Sequence, residues 1–169
     1  MKWIAISGSW RKTNNYILRD VEEIVKPILK EDGGIMTGGA LGVDYIATET
    51  VLEEGDASAQ LRIYLPISLQ AFCTHYWKRA KEDVISEAQA KAITSQLQRV
   101  HELAPNAIID DTPYTEANAE SYYARNTDIV KACDVLYAFQ VNDSKGVQDA
   151  IDKAKKLGKD VIVKKYFID

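Results

Sequence analysis

The chain has 169 residues, enough for one domain with a full hydrophobic core, and we expect residues 1–169 to form a single domain. Hydrophobic residues make up 46% and charged residues 27% of the chain, no apolar run reaches membrane-spanning length, and the net charge of −4 argues against indiscriminate nucleic-acid binding. The two cysteines, Cys73 and Cys133, form no Cys-x-x-Cys pair. We therefore expect a cytoplasmic protein with no membrane partner, no metal site and no cofactor.

Short apolar segments alternate with stretches of helical periodicity along the chain. The alternation predicts an α/β fold, a Rossmann-like and mostly parallel sheet with helices on both faces. Helices are predicted from caps at residues 13–15, over 43–54, within 68–104, over 115–133 and over 147–157. Strands are predicted at residues 2–7, 35–37, 61–65, 107–109, 135–139 and 161–163.

The least typical part of the chain is the segment 68–104, which contains no glycine or proline. Apolar residues recur along it at helical spacing, so we predict one long helix or two abutting helices. A crossover between neighbouring strands needs less chain than this. The segment is therefore a helical insertion that could form a lid, a dimer surface or simply a long crossover.

Three of the predicted strands end in turns of small or polar residues, at 7–11, 37–42 and 140–146. In a parallel sheet the carboxyl ends of the strands share one edge, where α/β folds bind ligands. A helix follows the second and third turns, and free N–H groups at a helix start stabilise an anion. The three turns together predict a ligand pocket in which backbone N–H groups bind phosphate.

The glycine turn does not match the established nucleotide-binding sequences. Gly38, Gly39 and Gly42 lack the Gly-x-Gly-x-x-Gly spacing, and no Gly-Lys-Ser/Thr follows. The strand at 61–65 ends in Leu65 and Pro66 instead of the acid that would hold an NAD ribose. Neither an NAD site nor a P-loop is predicted, and a tight turn without ligand is the alternative interpretation.

Four segments in the same order resemble the SLOG superfamily, whose branches include DNA-processing protein A, the lonely-guy phosphoribohydrolases and molybdenum-cofactor carriers. Residues 37–44 (Thr-Gly-Gly-Ala-Leu-Gly-Val-Asp) are similar to the Ser-Gly-Gly-Ala-x-Gly-Ile-Asp segment of the DNA-processing branch. The other three segments are residues 7–11 (Ser-Gly-Ser-Trp-Arg), 125–126 (Arg-Asn) and 143–146 (Asp-Ser-Lys-Gly).

The resemblance implies a Rossmann-like protein that binds a nucleotide or nucleotide-derived ligand, often as a homodimer, and it fixes no activity. We expect a sensor or carrier that forms a homo-oligomer. Backbone N–H groups of the glycine turn would bind phosphate, and Asp44 would act as a cap or accept a ribose hydroxyl. The predicted binding residues are Gly8, Ser9, Arg11, Thr37, Gly38, Gly39, Ala40, Gly42, Asp44, Arg125, Asn126, Ser144 and Gly146.

The first alternative is a single-stranded-DNA-binding recombination mediator similar to the DNA-processing branch. Such a protein needs a positive groove that follows the phosphates. Only Lys78, Arg79 and the C-terminal lysines offer candidates, and the acidic balance is unfavourable.

The second alternative is an N-glycosidic hydrolase of nucleoside monophosphates, as in the lonely-guy branch. The motif of that branch ends in Gly-Thr-x-x-Glu, but from Gly146 onward this chain has Val147 and Ala150 at the threonine and glutamate positions. Asp149, one residue earlier, would project about 100° away around the helix, and the sequence does not place Glu120 in the pocket. We therefore expect a binding protein rather than an enzyme.

Overall fold

The computed structural model describes all 169 residues, and its centre is a six-stranded sheet in which every neighbouring pair is parallel. The spatial order is β4-β3-β2-β1-β5-β6. Strands β2, β3 and β4 are therefore added in turn on one side of β1, and β5 and β6 are added on the other side of β1. The predicted Rossmann-like sheet is confirmed. The strands are β1 (Trp3–Gly8), β2 (Gly34–Thr37), β3 (Leu61–Tyr64), β4 (Ile108–Ile109), β5 (Val135–Val141) and β6 (Asp160–Tyr166).

Helices cover both faces of this sheet, as predicted. Parallel crossovers are right-handed, so reversing the direction of strand addition after β4 moves the later helices to the opposite face. The larger hydrophobic core lies under the first five helices and the smaller one under the last two. No helix combines the length and apolar character needed to cross a membrane. The helices are α1 (Asn15–Lys30), α2 (Val43–Glu54), α3 (Ala57–Gln60), α4 (Leu69–Lys81), α5 (Glu87–Leu103), α6 (Ala119–Ala132) and α7 (Lys145–Lys156).

Local sequence explains where α1 begins and which face it buries. The Asn14 side chain accepts a hydrogen bond from the Ile17 N–H, which satisfies one of the free donors at the helix start. Ile17, Val21 and Val25 follow at four-residue spacing and are fully buried. Pro27 lies in the last turn of the helix.

The insertion consists of two helices, α4 and α5, separated by residues 82–86. Asp83 takes a left-handed conformation (φ 57°) at the break. Ser86 and Gln89 then form a capping box that begins α5. The second of the two sequence interpretations is therefore correct, and the pair crosses from β3 to β4.

Some predicted boundaries were wrong for local reasons. Helix α6 begins at Ala119 instead of 115 because the Asn118 side chain caps it there. Helix α7 begins two residues early, directly after Asn142 and Asp143 take left-handed conformations (φ 49° and 53°). Strands β5 and β6 pair farther along than predicted, from Val135–Asp160 to Val141–Tyr166.

Candidate functional site

A cavity of about 550 Å³ opens at the carboxyl edge of the sheet, where β1 lies between β2 and β5. The direction of strand addition reverses at this point, and such switch points are where α/β sheets leave a crevice for ligands. Ser7 and Gly8 at the end of β1, the turn after β2, and α4, α6 and the start of α7 line the cavity. Its volume falls within the range of small-molecule sites, about 300–1,000 Å³.

The structure brings the majority of the predicted binding residues to this one cavity. The residues that line it are Gly8, Gly38, Ala40, Asp44, Arg125, Asn126, Ser144 and Gly146, and those that do not line it are Ser9, Arg11, Thr37, Gly39 and Gly42.

Thr37, Gly39 and Gly42 do not line the cavity, but they determine the conformation of the glycine turn. Thr37 is fully buried. Gly39 and Gly42 have φ values of 68° and 79°, which favour glycine. An added Cβ on Gly39 would lie 2.6 Å from Leu65 Cδ2, so this position faces the hydrophobic core instead of a ligand.

The other two residues tie the first loop to neighbouring segments. The Ser9 hydroxyl donates to the Val141 carbonyl at 3.4 Å, which links the loop to the end of β5. Arg11 Nη1 donates to the Val84 carbonyl at 3.0 Å, which links the loop to the break between α4 and α5. Neither side chain lines the cavity, and each is hydrogen-bonded within the protein.

The N–H groups of the glycine turn are already used within the protein, contrary to the expectation that they bind phosphate. Asp44 Oδ2 accepts hydrogen bonds from Gly38 N at 3.0 Å and from Ala40 N at 3.3 Å. The Gly39 N–H donates to Thr37 Oγ1 at 3.4 Å. Asp44 is the second residue of α2, where the helix dipole stabilises a carboxylate, so its side chain takes the place of an external anion.

Asp44 is 5% exposed, and its environment is unusual for a carboxylate. Burial raises its pKa from the usual 3.8 to about 6, while the Arg125 guanidinium and the two backbone N–H groups oppose the rise. Both of its hydrogen bonds end on Oδ2. Oδ1 has no partner within the protein and is not sealed from solvent, so it faces the cavity.

Arg125 crosses from α6 to the glycine turn. Its Nη1 donates to the Gly38 carbonyl and its Nε donates to Asn126 Oδ1 at 3.1 Å. The guanidinium carbon lies 5.4 Å from the centroid of the Tyr122 ring. A Cβ added to Gly38 would meet the guanidinium, so Arg125 could not keep this position beside a larger residue. Nη2 remains a donor without a protein partner at the cavity wall.

The start of α7 supplies free backbone donors on the opposite side of β1. Ser144 precedes the helix without a side-chain cap, and the N–H groups of Lys145, Gly146 and Val147 have no acceptor in the protein. A Cβ added to Gly146 would meet nothing within 4 Å, so the space above these N–H groups is open. Such a helix start favours an anion.

Asn126 fixes α7 against α6. Its Nδ2 donates to the Gly146 carbonyl at 3.2 Å and to Asp149 Oδ2 at 3.1 Å. Lys153 Nζ contacts the same Asp149 oxygen at 2.9 Å. Asp149 is therefore held in a structural network, and neither it nor the exposed Glu120 lines the cavity. Asp44 is the one carboxylate in the lining.

Sequence reasoning missed the wall that the insertion contributes. Burial raises the pKa of the Tyr76 hydroxyl well above its usual range, and this hydroxyl donates to the Gly39 carbonyl at 3.4 Å. The His75 pKa is lowered, first by burial and then by neighbouring Arg79. The pattern of α4 indicated only an apolar stripe, so its position against the glycine turn carried no local signal. The lining residues with polar or aromatic side chains that were not among the predicted binding residues are Ser7, Trp10, His75, Tyr76, Arg79, Tyr122 and Tyr123.

No protein-family model and no curated protein sequence matches this chain. Solved structures do resemble it. DNA processing protein A from Helicobacter pylori, described for its single-stranded DNA binding mode, is 24% identical over 96% of this chain and 64% of that chain, with a TM-score of 0.66. The chain shares the Rossmann-like fold of this protein. It spans less than two thirds of the Helicobacter protein.

Two proteins connected with molybdenum cofactor share this fold. The molybdenum cofactor binding protein of Rippkaea orientalis is 17% identical, with a TM-score of 0.62 over 98% of this chain and 77% of that chain. The molybdenum cofactor carrier protein of Chlamydomonas reinhardtii is 19% identical, with a TM-score of 0.59 over 96% of this chain and 76% of that chain. At such identities the likeness extends to the fold alone.

Proposed function

We propose that this protein binds a nucleotide or nucleotide-derived ligand at the carboxyl edge of its sheet, as a sensor or carrier. The observation that carries the proposal is the convergence of three features in one cavity. These are the free N–H groups at the start of α7, the unpaired Nη2 donor of Arg125 and a set of aromatic rings. Phosphate suits the first two features, and a planar base suits the third.

The phosphate end of the ligand belongs at α7. The glycine turn cannot supply its N–H groups because Asp44 and Thr37 accept them. At α7 the equivalent donors are free, and Gly146 lets an anion approach the backbone. We therefore propose that phosphate binds at the turn after β5, and not at the turn after β2 as the sequence suggested.

The base end of the ligand belongs near the mouth of the cavity. Trp10 and Tyr123 line the cavity with 36% and 39% of their surface exposed, and Tyr122 lies deeper. Large rings left open to water at a cavity mouth gain from stacking against a planar apolar group. A nucleobase is such a group.

The carboxylates support binding rather than glycosidic cleavage. An enzyme that cleaves the glycosidic bond needs a carboxylate placed to stabilise an oxocarbenium ion. Asp149 is engaged by Asn126 and Lys153, and Glu120 is outside the lining. Asp44 holds the glycine turn through one oxygen.

A thermal-shift screen of mono-, di- and cyclic nucleotides tests the proposal. A ligand at 100 times its Kd stabilises the folded state by about 2.7 kcal/mol, or about 5–10 °C in a domain of this size. Gly146→Val should remove the shift because its side chain would fill the open space at the α7 N–H groups. Lys155→Val, an exposed position on the same helix, is the matched control. Silence across the whole panel contradicts the proposal.

A second candidate is single-stranded DNA binding, favoured by the fold likeness to the Helicobacter protein. Its electrostatic support in this chain is limited. Lys153 is paired with Asp149, and Lys159 donates to the Cys133 carbonyl at the opposite edge of the sheet. Fluorescence anisotropy with a labelled single strand at about 25 and 150 mM salt separates the candidates, since phosphate-driven binding weakens steeply with salt. Absence of binding at the lower concentration excludes this candidate.

A further inference from the structure

The cavity contains an acceptor that the fold does not use. An ionised carboxylate can accept about four hydrogen bonds. Asp44 accepts two hydrogen bonds at Oδ2 and none at Oδ1. The residue is nevertheless buried, with 5% of its surface exposed. Buried polar oxygens are normally paired. Oδ1 is therefore a largely buried carboxylate oxygen without a protein partner, on a residue that lines the cavity.

Neighbouring donors do not satisfy this oxygen. Arg125 acts on Asp44 through space, but its Nη1 and Nε donate to Gly38 and Asn126, and it forms no ion pair with Asp44. The Tyr76 hydroxyl donates to the Gly39 carbonyl. A partner for Oδ1 must therefore come from whatever enters the cavity, and it must carry an O–H or N–H group.

The position of Asp44 relative to α7 narrows the identity of that group. β1 separates β2 from β5, so the turn before α2 and the start of α7 lie two strand spacings apart, about 10 Å. A sugar phosphate with a hydrogen bond at each end spans such a distance. We propose that Asp44 Oδ1 accepts a hydrogen bond from a ribose hydroxyl of the ligand, so that the site selects ribonucleotides over deoxyribonucleotides. The inference rests on the proposed nucleotide-binding function.

The selectivity follows from desolvation. A deoxy ligand would fill the cavity, exclude water and leave Oδ1 without a partner. A hydrogen bond to a charged group contributes enough that its loss weakens binding by about tenfold to a hundredfold. Phosphate contacts at α7 are the same for both ligands, so the ratio of affinities isolates the Asp44 contact.

Isothermal titration calorimetry with AMP, GMP, CMP and UMP, and with the 2′-deoxy and 3′-deoxy counterpart of each, tests the inference. For the base that binds most tightly, we expect the ribonucleotide to exceed at least one deoxy form by tenfold or more. Asp44→Asn keeps one oxygen for the Gly38 and Ala40 N–H groups and places an amide donor where Oδ1 was, so the ratio should fall to within about twofold. Asp134→Asn alters an exposed carboxylate that accepts the Trp3 N–H, and it should leave the ratio unchanged.

The possible outcomes distinguish failure of the ribose inference from failure of the proposed nucleotide binding. Equal binding of ribonucleotides and both deoxy forms by the unaltered protein overturns the inference and leaves the proposed function standing. A ratio that persists in a folded Asp44→Asn protein also overturns it. If none of the nucleotides binds, both the inference and the proposed function fail. The first comparison uses the unaltered protein, so it holds even if the variant does not fold.

Discussion

Asp44 should make the stability of this protein fall as the pH rises through the mildly acidic range. Its pKa is about 6 in the folded protein against the usual 3.8, chiefly because the carboxylate is buried. The difference of about two pKa units, at about 1.36 kcal/mol per unit, amounts to about 3 kcal/mol in the free energy of unfolding.

The direction follows from where the proton is held. Between pH 4 and 6 the folded protein keeps the Asp44 proton and the unfolded chain has released it, so stability decreases with rising pH. This contribution is fully present below about pH 4 and is lost above about pH 6. The groups that face Asp44 are Arg125, Tyr76 and the backbone N–H groups of Gly38 and Ala40. Arg125 keeps its charge throughout the range, and the raised pKa of Tyr76 keeps that residue neutral.

Asp44→Asn removes the titration while preserving an oxygen for the two backbone donors. Urea unfolding at pH 4 and at pH 7.5 should show the variant gaining about 3 kcal/mol relative to the unaltered protein across that interval. Other groups titrate equally in both proteins and cancel in the difference. Asp134→Asn serves as the control for replacing a carboxylate that accepts a backbone N–H. Parallel pH profiles for Asp44→Asn and the unaltered protein would refute the reasoning.

The remaining predictions concern the glycines, catalysis and assembly. Gly39→Val should destabilise the fold by about 1–3 kcal/mol in urea unfolding, since φ is 68° and the new side chain meets Leu65 in the core; an unchanged midpoint would contradict this. Gly146→Ala should leave the melting temperature unchanged or raise it, because alanine favours a helix by about 1 kcal/mol; a clear loss would contradict the open space found there. Chromatographic assay after incubation with nucleoside monophosphates should show no free base above background, whereas release abolished by Asp44→Asn would make this an enzyme. Light scattering after size exclusion tests the homo-oligomer that the resemblance implies and should give at least twice the 18.9 kDa chain mass; a monomer mass at about 100 μM would exclude a stable homo-oligomer.

The sheet was predictable because its information is local. Each strand is a short apolar run, and Gly33-Gly34 marks the boundary between α1 and β2. The capping box at Ser86 and Gln89 is also a local sequence pattern, and it indicates that a second helix begins within the insertion. The ends of β5 and β6 are different, because their pairing extends as far as the partner strand allows.

The roles of residues in the cavity were only partly predictable because they depend on distances across the fold. The pattern around Gly38 indicates a phosphate site equally well whether its N–H groups are free or taken by a carboxylate. Only the backbone path that brings Asp44 over the turn decides between the two. The wall from α4 likewise depends on how a crossover helix packs, which no short pattern records.

Asp44 changes the glycine turn from a site of hydrogen-bond donors into a site with a hydrogen-bond acceptor. A turn with three free N–H groups at a helix start presents donors, but the carboxylate accepts two of them through Oδ2 and presents Oδ1 to the cavity as an acceptor. Donors remain at the start of α7, on the other side of β1. The cavity is thereby polarised, with donors for an anion at one end and an acceptor for a hydroxyl at the other. The pKa shift indicates that ionised Asp44 costs stability, and a carboxylate serving only to hold the turn could be replaced by asparagine without that cost. The presence of a carboxylate here is explained if Oδ1 binds ligand, because functional sites commonly carry groups that cost stability.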